Sequence, residues 1–415
     1  MILLSHPTAN QNVRQTALAF AEAGLLEEFW TCVNWKQGSL LDRFVSFSAR
    51  LQQELRRRSF PEELAPFLRT LPWREWGRQG AGQLGWRHLS QGERGVFSLD
   101  AVYLSLDRRV AKRLASGLTI KAVYAYDAGA LATFRAAKKR GIRCIYEHPI
   151  IYWRMVRQYQ REEAELHPEW APTLGALADS EEKLARKDEE LALADLVVTA
   201  STFAKNSVAH ASALKVPVHV VPYGIRAGDV LSPRAQGSGK LRVLFVGALS
   251  QAKGLGYLLE AVARLGQEIE FTLIGRRISL AIPAPSLLDK YRWIPSLPHD
   301  ELLQEMSNHD VLVLPSLHEG FGLVMTEAMG QGLIVVTTSH TAGPDMITDR
   351  VDGFLVPIRS AEAIEETLAL LVRDRARLRT MQEAARQKAL TWTWENYRQR
   401  LVGLAREVVD IRVAS

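Results

Sequence analysis

The chain has 415 residues, of which 47% are hydrophobic and 24% are charged. This length is too great for one hydrophobic core and predicts two domains of about 200 residues each, and the composition is that of a soluble globular protein. The net charge of +6 lies wholly in residues 1–222, which hold 30 basic and 24 acidic residues, whereas residues 223–415 hold 22 of each.

Membrane-spanning and disulfide-bonded classes are excluded by the same sequence. No run of roughly 18 or more apolar residues occurs, so no helix is predicted to span a membrane. Cys32 and Cys144 have neither metal-ligand spacing nor the pattern of a disulfide framework, which favours a reducing cytoplasm. The start MILLSHPTAN lacks the basic region of a signal peptide and predicts a first strand instead. The basic excess indicates an anionic partner or an anionic membrane surface, with a merely solvated basic face as the alternative.

Strands and helices alternate through the first 222 residues, which is the pattern of a parallel sheet covered by helices. Residues 1–5 predict a strand, and a polar loop leads from it into a helix. Three polar side chains of that loop are candidates for ligand contact: His6, Asn10 and Asn12.

The alternation resumes over residues 100–150 as helix, strand, helix and strand. Asp127 and His148 fall at the carboxyl ends of two of these strands, where open α/β sheets bind ligands. Long charged helices follow over residues 154–190, and the strand in LADLVVTAS ends at Ser201.

A basic and aromatic segment separates these two parts of the first half. Residues 39–70 predict a basic helix, and LPWREWGRQGAGQLGW follows it. Six side chains there could form an interfacial membrane patch: Arg56, Arg57, Arg58, Trp73, Trp76 and Trp86. Burial of the tryptophans beneath a solvated helix is the favoured alternative.

The segment VPYGIRAGDVLSPRAQGSGK is rich in Gly, Pro and Ser and predicts a linker between two domains. After it the alternation begins again. The predicted strands are 241–246, 270–274, 310–315 and 333–338, and a helix is predicted over 254–265.

Residues 312–338, LVLPSLHEGFGLVMTEAMGQGLIVVTT, predict strand, loop, helix, turn and strand. The loop HEGFG puts two glycines around a helix start, where unpaired amides and the helix dipole suit an anion or a sugar hydroxyl. Glu319 precedes the helix, and Glu327 lies on its second turn if it begins near Phe321. Carboxylates accept hydrogen bonds from vicinal hydroxyls but repel phosphate, so the site indicates a ligand that carries both groups. Solvated surface carboxylates are the alternative.

The stretch FVGALSQAKGLGYLLEAV, residues 245–262, predicts a second ligand loop. Gly247 follows a strand, and Lys253 and Gly254 precede a helix, so backbone amides and one ammonium converge where a diphosphate could bind. The stretch lacks both G-x-x-x-x-G-K-[ST] and G-x-G-x-x-G, which argues against a P-loop NTPase and a dinucleotide oxidoreductase.

The sequence EGFGLVMTEAMGQGLIVV resembles the signature of retaining glycosyltransferases of the GT-B fold, the family-four group, in which seven residues separate two glutamates. The resemblance extends to FVGALSQAKGLGYLLEAV and to ARKDEELALADLVVTASTFAKNSV. It implies an α/β fold of two Rossmann-like domains that face each other across a cleft. The acceptor domain would be residues 1–222, the nucleotide-sugar domain 223–392, and a last helix over about 393–415 would cross back to the first domain.

The resemblance also implies roles for individual residues. A donor site is implied for Gly247, Lys253, Arg276, Glu319, Gly320, Phe321, Gly322 and Glu327, with Lys253 on the diphosphate and Glu327 on the ribose. An acceptor side is implied for His6, Asn10, Asn12, Asp127 and Ser201. The residues nearest the chemistry would be His148, Lys253 and Glu319.

One position departs from the family pattern, because Ala248 stands where the family often has arginine. Phosphate charge would then rest on Lys253 and backbone amides, aided by Arg276 or Lys290. No D-x-D triplet occurs in the sequence, so we expect a site that uses no metal and no cofactor, with positive side chains stabilising the leaving diphosphate.

The implied function is a cytoplasmic, metal-independent transfer of a sugar from a UDP- or GDP-linked donor, with retention of configuration. The acceptor would be a sugar, a lipid-linked glycan or a small molecule; no nucleic acid is expected, and peripheral contact with the inner membrane face stays open. No nucleophile is evident, and in this family the departing phosphate oxygen is thought to take the acceptor's proton. A sugar-nucleotide epimerase of the same fold and a non-catalytic nucleotide-sugar-binding partner of another transferase are the alternatives.

Overall fold

The structure is a computed structural model that describes residues 1–35, 38, 57–116, 119–212, 214–226, 239–278 and 289–410. Most of the predicted linker lies outside the described residues, as does much of the predicted basic helix. Among the described residues, no helix combines the length and the apolarity needed to cross a bilayer.

The first half contains a parallel sheet whose strands follow the order β3-β2-β1-β4-β5-β6-β7. The strands are β1 Ile2–Ser5, β2 Leu26–Thr31, β3 Leu68–Thr70, β4 Ala122–Tyr126, β5 Arg143–Glu147, β6 Leu196–Thr199 and β7 Val218–Val220. Side chains alternate between two cores: Tyr124 and Tyr126 face one, whereas Val123 and Ala125 face the other. This two-sided burial explains the continuous apolar runs that predicted these strands.

Helices cover both faces of this sheet. They are α1 Gln11–Glu22, α2 Trp73–Gln83, α3 Arg87–Ser90, α4 Leu99–Ala115, α5 Leu131–Lys138, α6 Trp153–Leu166, α7 Glu181–Leu193 and α8 Thr202–Val208. Serine hydroxyls accept a backbone N–H at the start of three of them: Ser98 from Ala101 at 3.1 Å, Ser180 from Lys183 at 3.2 Å and Ser201 from Ala204 at 3.0 Å. These caps fix where the helices begin because they satisfy otherwise unpaired amides.

Two strands of this sheet were not predicted. Strand β2, LEEFWT, contains a buried glutamate, Glu28, which accepts hydrogen bonds from Trp30 Nε1 at 2.8 Å and from Arg113. Glu28 interrupts the apolar pattern of the strand, and the arginine that compensates its charge is distant in the sequence. The sequence alone therefore does not reveal the strand. The predicted basic helix is wrong over its described part, where residues 57–70 form a short 3₁₀ turn and edge strand β3.

The basic and aromatic segment also differs from both sequence interpretations. Arg56 lies outside the described residues, and Arg58 turns inward to Glu75 at 3.4 Å. The three tryptophans, expected to be buried, are instead exposed: Trp73 by 49%, Trp76 by 39% and Trp86 by 52%. Of the described arginines, Arg58 is therefore directed into the protein and does not join the exposed tryptophans in one solvent-facing patch.

The second half contains a parallel sheet in the order β10-β9-β8-β11-β12-β13. Its strands are β8 Leu241–Val246, β9 Ile269–Ile274, β10 Arg292–Ile294, β11 Val311–Leu314, β12 Ile334–Thr338 and β13 Gly353–Val356. The four predicted strands are confirmed within one or two residues at each end. The two outermost strands, β10 and β13, are short and were missed because three or four residues carry little periodicity.

The helices of this half are α9 Leu255–Leu265, α10 His299–Met306, α11 Leu323–Gly330, α12 Gly343–Met346, α13 Ala361–Arg373, α14 Arg375–Ala389 and α15 Trp394–Asp410. The last of them, α15, crosses back onto α1 as the resemblance implied. The hydroxyls of Tyr397 and Thr16 lie 2.7 Å apart, and Arg398 donates to Gln15 at 2.6 Å. Buried Trp394 and Tyr397 continue the core from one half into the other.

Candidate functional site

The carboxyl ends of the two sheets face each other and their loops touch. Ser201, after β6, donates from Oγ to the carbonyl oxygen of Gly320, after β11, at 2.6 Å. The backbone N–H of Thr202 donates to Asp345 at 2.7 Å. A Cβ atom built on Gly320 would lie 2.9 Å from the Cα of Ile150. Both sheets thus present the edge at which α/β folds bind ligands to a common cleft.

The loop after β8 is fixed against the loop after β11. Gly254 adopts a left-handed φ of 69° at the start of α9, and a Cβ atom there would lie 2.9 Å from the carbonyl carbon of Pro315. Only glycine suits both the dihedral angle and the contact. The start of α9, with the positive end of its dipole, therefore lies beside the loop that carries Glu319.

Lys253 and Glu319 form an ion pair across these two loops. Both side chains are partly exposed to the cleft, and the backbone N–H of Glu319 donates to the carbonyl oxygen of His340 at 2.9 Å. An ammonium has three donor protons, so Lys253 can keep this partner and still donate to a phosphate. The structure thus brings together two residues that are 66 positions apart in the sequence.

The loop at Gly320–Gly322 leads into α11, which begins at Leu323, two residues after the predicted start. Gly322 has a φ of 87°, in the left-handed region that favours glycine. Phe321 is buried and packs edge-on against Tyr223, with ring centroids 5.2 Å apart. Its ring belongs to the core between the two halves, so any donor contact of Phe321 would come from its backbone.

Glu327 lies on the second turn of α11, away from the Lys253–Glu319 pair. Nδ1 of His299, on α10, lies 3.8 Å from Oε1 of Glu327. Gln331 and Trp394 line the same small groove. The sequence did not single out His299, because nothing along the chain connects residue 299 with residue 327.

Two basic residues expected near the phosphate lie at opposite ends of the second sheet. Arg276 follows β9, and its carbonyl oxygen accepts from Leu249 N at 3.0 Å, so it adjoins the loop after β8. Lys290 precedes β10 and lines a cavity with Arg242 and Glu270, at the amino ends of the strands. The expectation that Lys290 aids phosphate binding is therefore wrong.

The acceptor-side residues converge on a cavity of about 400 Å³ at the carboxyl edge of the first sheet. His6, Asn10, Asn12 and Asp127 all line it, together with Tyr103, Tyr126, Lys183, Lys187 and Ile150. Ser201 is not among the lining residues. Its hydroxyl is fully buried, accepts from Ala204 N and donates to Gly320, so the structure gives it a role between the halves instead of the predicted acceptor contact.

Asp127 is the negative centre of this edge. Lys187 Nζ lies 3.3 Å away, His148 Nδ1 lies 3.4 Å away, and the Tyr146 hydroxyl donates at 2.9 Å. Burial alone would raise the pKa of Asp127, but the charge of Lys187 and the contact with His148 outweigh it and hold that pKa well below its usual value. Asp127 is therefore ionised at neutral pH.

His148 is buried, yet neither ring nitrogen has a hydrogen-bond partner among the described residues. The 3.4 Å approach to Asp127 does not have hydrogen-bond geometry, and the ring stacks on Tyr146 at 5.9 Å. Buried polar atoms are nearly always satisfied. An unsatisfied imidazole at the end of a strand, beside the cleft, is ready to bond to a ligand.

Several residues near the cleft were missed by the sequence analysis. His318 directly precedes Glu319, and Nε2 of its ring lies 3.2 Å from Nε2 of Gln160 on α6. Burial, with the nearby charge of Lys253, lowers the pKa of His318 to about 4, so the ring is neutral. His318 could have been noticed as part of HEGFG, whereas Gln160 could not, because it comes from the other half.

Helix α6 holds the two halves together through one buried carboxylate. Glu163 accepts from Gln251 Nε2 at 2.7 Å, Tyr257 OH at 2.8 Å and Arg359 Nε at 2.8 Å. Gln251 in turn accepts from the backbone N–H of Gly256 at 2.9 Å, at the start of α9. This network positions the loop that carries Lys253.

Residues 233–388 match the family model described as Glycosyl transferases group 1. This match lies wholly within the second half of the chain, so the likeness to this family is shown for that half. The matched segment includes Lys253, Glu319 and Glu327, together with the loops and helices that position them.

Curated relatives match the chain over a similar part of its length. The chain is 33% identical over 165 residues to the amylovoran biosynthesis glycosyltransferase AmsK of Erwinia amylovora, covering 36% of this chain and 40% of that protein. It is 30% identical over 179 residues to a D-inositol 3-phosphate glycosyltransferase of Corynebacterium urealyticum, covering 40% of this chain and 42% of that protein. The matches thus span less than half the length of these relatives.

Solved structures match the fold of the chain along nearly its whole length. Sucrose-phosphate synthase from Thermosynechococcus elongatus superposes with a TM-score of 0.71 at 18% identity, covering 98% of each chain. Anabaena Alr3699/HepE in complex with UDP-glucose superposes with a TM-score of 0.61 at 15% identity, covering 98% of this chain and 99% of that one. The predicted GT-B fold is confirmed by this likeness and by the two parallel sheets.

Proposed function

We propose that this protein transfers a sugar from a nucleotide-diphosphate sugar to an acceptor hydroxyl, with retention of configuration and without a metal. One observation carries the proposal: the loop of Glu319, which pairs with Lys253, touches at Gly320 the loop of Pro149 and Ile150, and that loop lines the cavity that contains Asp127. A group transferred between two substrates needs both sites within reach of one another. The two halves provide such a pair of sites.

The donor occupies the second half in this proposal. Lys253 and the start of α9 bind the diphosphate, because an ammonium and the positive end of a helix dipole both attract anions. Glu327 accepts from the ribose hydroxyls, with His299 beside it. Glu319 and the amides of Gly320 and Gly322 bind the sugar. Because Anabaena Alr3699/HepE is seen in complex with UDP-glucose, a UDP-linked sugar is the first donor to test, before a GDP-linked one.

The acceptor occupies the 400 Å³ cavity of the first half. The acceptor oxygen forms a bond to the anomeric carbon while the bond from that carbon to the phosphate oxygen breaks, and the acceptor proton moves to that phosphate oxygen. The products are the glycosylated acceptor and the nucleoside diphosphate. His148 bonds to a hydroxyl of the donor sugar or the acceptor, and Lys253 stabilises the charge that develops on the leaving diphosphate.

A donor screen with product analysis tests this function. Thermal shift across UDP, GDP, ADP and their sugars identifies the nucleotide, since a bound ligand raises apparent stability by mass action. Nuclear magnetic resonance of the product with candidate acceptors then shows whether the anomeric configuration is retained. Lys253→Ala should abolish most turnover, and Lys205→Ala, at an exposed lysine in the first half, is the matched control.

Other outcomes would assign the protein differently. A donor that changes its sugar configuration without any acceptor would establish an epimerase. Tight binding of a nucleotide sugar with neither transfer nor hydrolysis, across all acceptors, would support a non-catalytic partner of another transferase. The cytoplasmic location stays a prediction in each case.

A further inference from the structure

A second cavity, of about 500 Å³, opens on the face of α4 that points away from the acceptor cavity. One face of this helix lines it, through Ala101, Leu104, Ser105, Arg108, Arg109 and Lys112. Helix α2 and the loop before α4 close the other sides, with Trp73, Arg74, Arg94 and Val96. No pattern along the sequence predicts this cavity.

Five basic side chains line the cavity, against one carboxylate. Arg74 lies over the Trp73 ring at 4.4 Å, and Arg109 lies 5.7 Å from the ring of Trp30. Within the part of the chain that the structure describes, Arg94, Arg108 and Lys112 have no carboxylate at ion-pair distance. Basic groups held together without counter-charges create a positive potential that attracts an anion.

The single acidic lining residue does not neutralise these cations. Both oxygens of Glu93 are taken by Ser180, which donates from its backbone N–H at 2.8 Å and from Oγ at 2.5 Å. The Glu93 carboxylate is thus bonded to the start of α7, which contributes no lining residue to the cavity. The rest of the cavity stays strongly basic.

Exposed apolar side chains occur in the segment that forms the cavity, and two of them, Trp73 and Val96, line it. Of the twelve large apolar side chains that are exposed among the described residues, six lie between residues 73 and 99: Trp73, Trp76, Leu84, Trp86, Val96 and Leu99. Trp73, Trp76 and Leu84 share one face of α2, since their positions fall within about 80° around a helix of 3.6 residues per turn. Leu99 lines the acceptor cavity instead. A cluster of exposed apolar side chains on one helix face, beside a basic cavity, indicates an interaction surface, whereas scattered apolar residues do not.

We infer that this surface docks on a lipid bilayer, with an anionic phosphate headgroup in the basic cavity and the tryptophans in the interface. The basic cavity by itself would suit any phosphate. The exposed tryptophans favour the phosphate of a lipid over a dissolved phosphate, because tryptophan rings beside arginines lie at the boundary between headgroups and acyl chains. A dissolved phosphate or a nucleic acid backbone would leave these rings in water. The inference does not depend on the proposed transfer reaction.

Vesicle binding tests the inference on the full chain. The charge variant is Arg94→Ala, Arg108→Ala and Lys112→Ala together. Its control is Arg379→Ala, Arg400→Ala and Arg406→Ala, which removes the same charge from exposed positions elsewhere. Co-sedimentation is measured with neutral phosphatidylcholine vesicles and with vesicles that also contain phosphatidylglycerol.

The wild-type chain should bind the anionic vesicles and not the neutral ones. Each basic residue near an anionic surface strengthens binding by about fivefold, so the charge variant should bind roughly 100-fold more weakly, and the control should bind like the wild type. Trp73→Ser with Trp86→Ser should also weaken binding, and brominated lipids should quench tryptophan fluorescence in the wild type only. Circular dichroism checks that each variant folds.

Three results would overturn the inference. If the wild type does not bind anionic vesicles, this surface does not dock on a lipid bilayer. If the charge variant and its control lose vesicle binding equally, the binding depends on the net charge of the protein and not on the cavity. Full binding by the tryptophan variant, or binding to heparin as tight as to vesicles, would assign the cavity to a soluble polyanion.

Discussion

Substituting Gly320 by alanine should separate nucleotide binding from turnover. Gly320 needs no positive φ, so the new side chain disturbs packing alone. Its Cβ would lie 2.9 Å from both the carbonyl carbon of Pro149 and the Cα of Ile150, whereas carbon atoms prefer about 3.5–4.0 Å. Both contacts are to backbone, which cannot rotate away, so the loops of the two halves must move apart by about 1 Å.

The size of the effect follows from that displacement. Overpacking costs roughly 1–3 kcal/mol, and loss of the hydrogen bond from Ser201 to Gly320 costs about 1 kcal/mol. A misplacement of about 1 Å between reacting groups lowers the rate by about 10²-fold. Nucleotide affinity should change little, because the contacts of Lys253 and Glu327 lie within the second half.

The assay compares three measurements on Gly320→Ala: turnover, nucleotide affinity by calorimetry, and the radius of gyration by small-angle scattering. Gly403→Ala is the control, because a Cβ atom on that exposed glycine of α15 has nothing within 4 Å. It should leave turnover unchanged and raise stability by up to about 1 kcal/mol. Wild-type turnover in Gly320→Ala, with an unchanged radius of gyration, would refute the contact between the halves.

Further outcomes are expected from the same structure. Glu327→Ala should weaken nucleotide binding by roughly 1.5–3 kcal/mol in calorimetry, since hydroxyls lose a charged acceptor; unchanged affinity would contradict its ribose role. Lys253→Ala should lose about 10²-fold in turnover, while excess EDTA should leave the wild type fully active; activity restored only by Mg²⁺ or Mn²⁺ would contradict metal independence. Burial lowers the pKa of His6 in the folded chain to about 4, whereas an exposed histidine in the unfolded chain has a pKa of about 6.5. As pH falls from 6.5 to 4, the proton therefore binds to the unfolded chain first, and the free energy of unfolding should fall by up to about 3 kcal/mol. In urea unfolding, the stability of His6→Asn should depend less on pH than that of the wild type, and an identical pH dependence would contradict this effect of His6. Glu163→Ala should destabilise the protein by about 3 kcal/mol because it leaves Arg359 without a buried partner; a melting temperature equal to that of the wild type would count against the network.

The order of elements could be predicted because it depends on local patterns. Continuous apolar runs such as VLVL of β11 are buried on both sheet faces, and the glycines of HEGFG fit a helix start that needs a left-handed residue. The short strands β10 and β13 escaped prediction, since their neighbours in the sheet, and not their own periodicity, make them strands. Strand β2 escaped because Arg113 compensates the charge of Glu28 from 85 positions away.

The sequence by itself predicted the two parallel sheets and their polar strand ends, and it indicated Lys253, Glu319 and Glu327 as candidate site residues. These predictions depend on the types of side chain at short spacing along the chain. Only the tertiary structure decided which groups meet: Lys253 with Glu319, Glu327 with His299, Gln160 with His318, and Ser201 with Gly320. It also decided that the tryptophans at 73, 76 and 86 are exposed beside a basic cavity. Such pairings join residues that are far apart along the chain, and the packing of one half on the other fixes them, so no local pattern carries them.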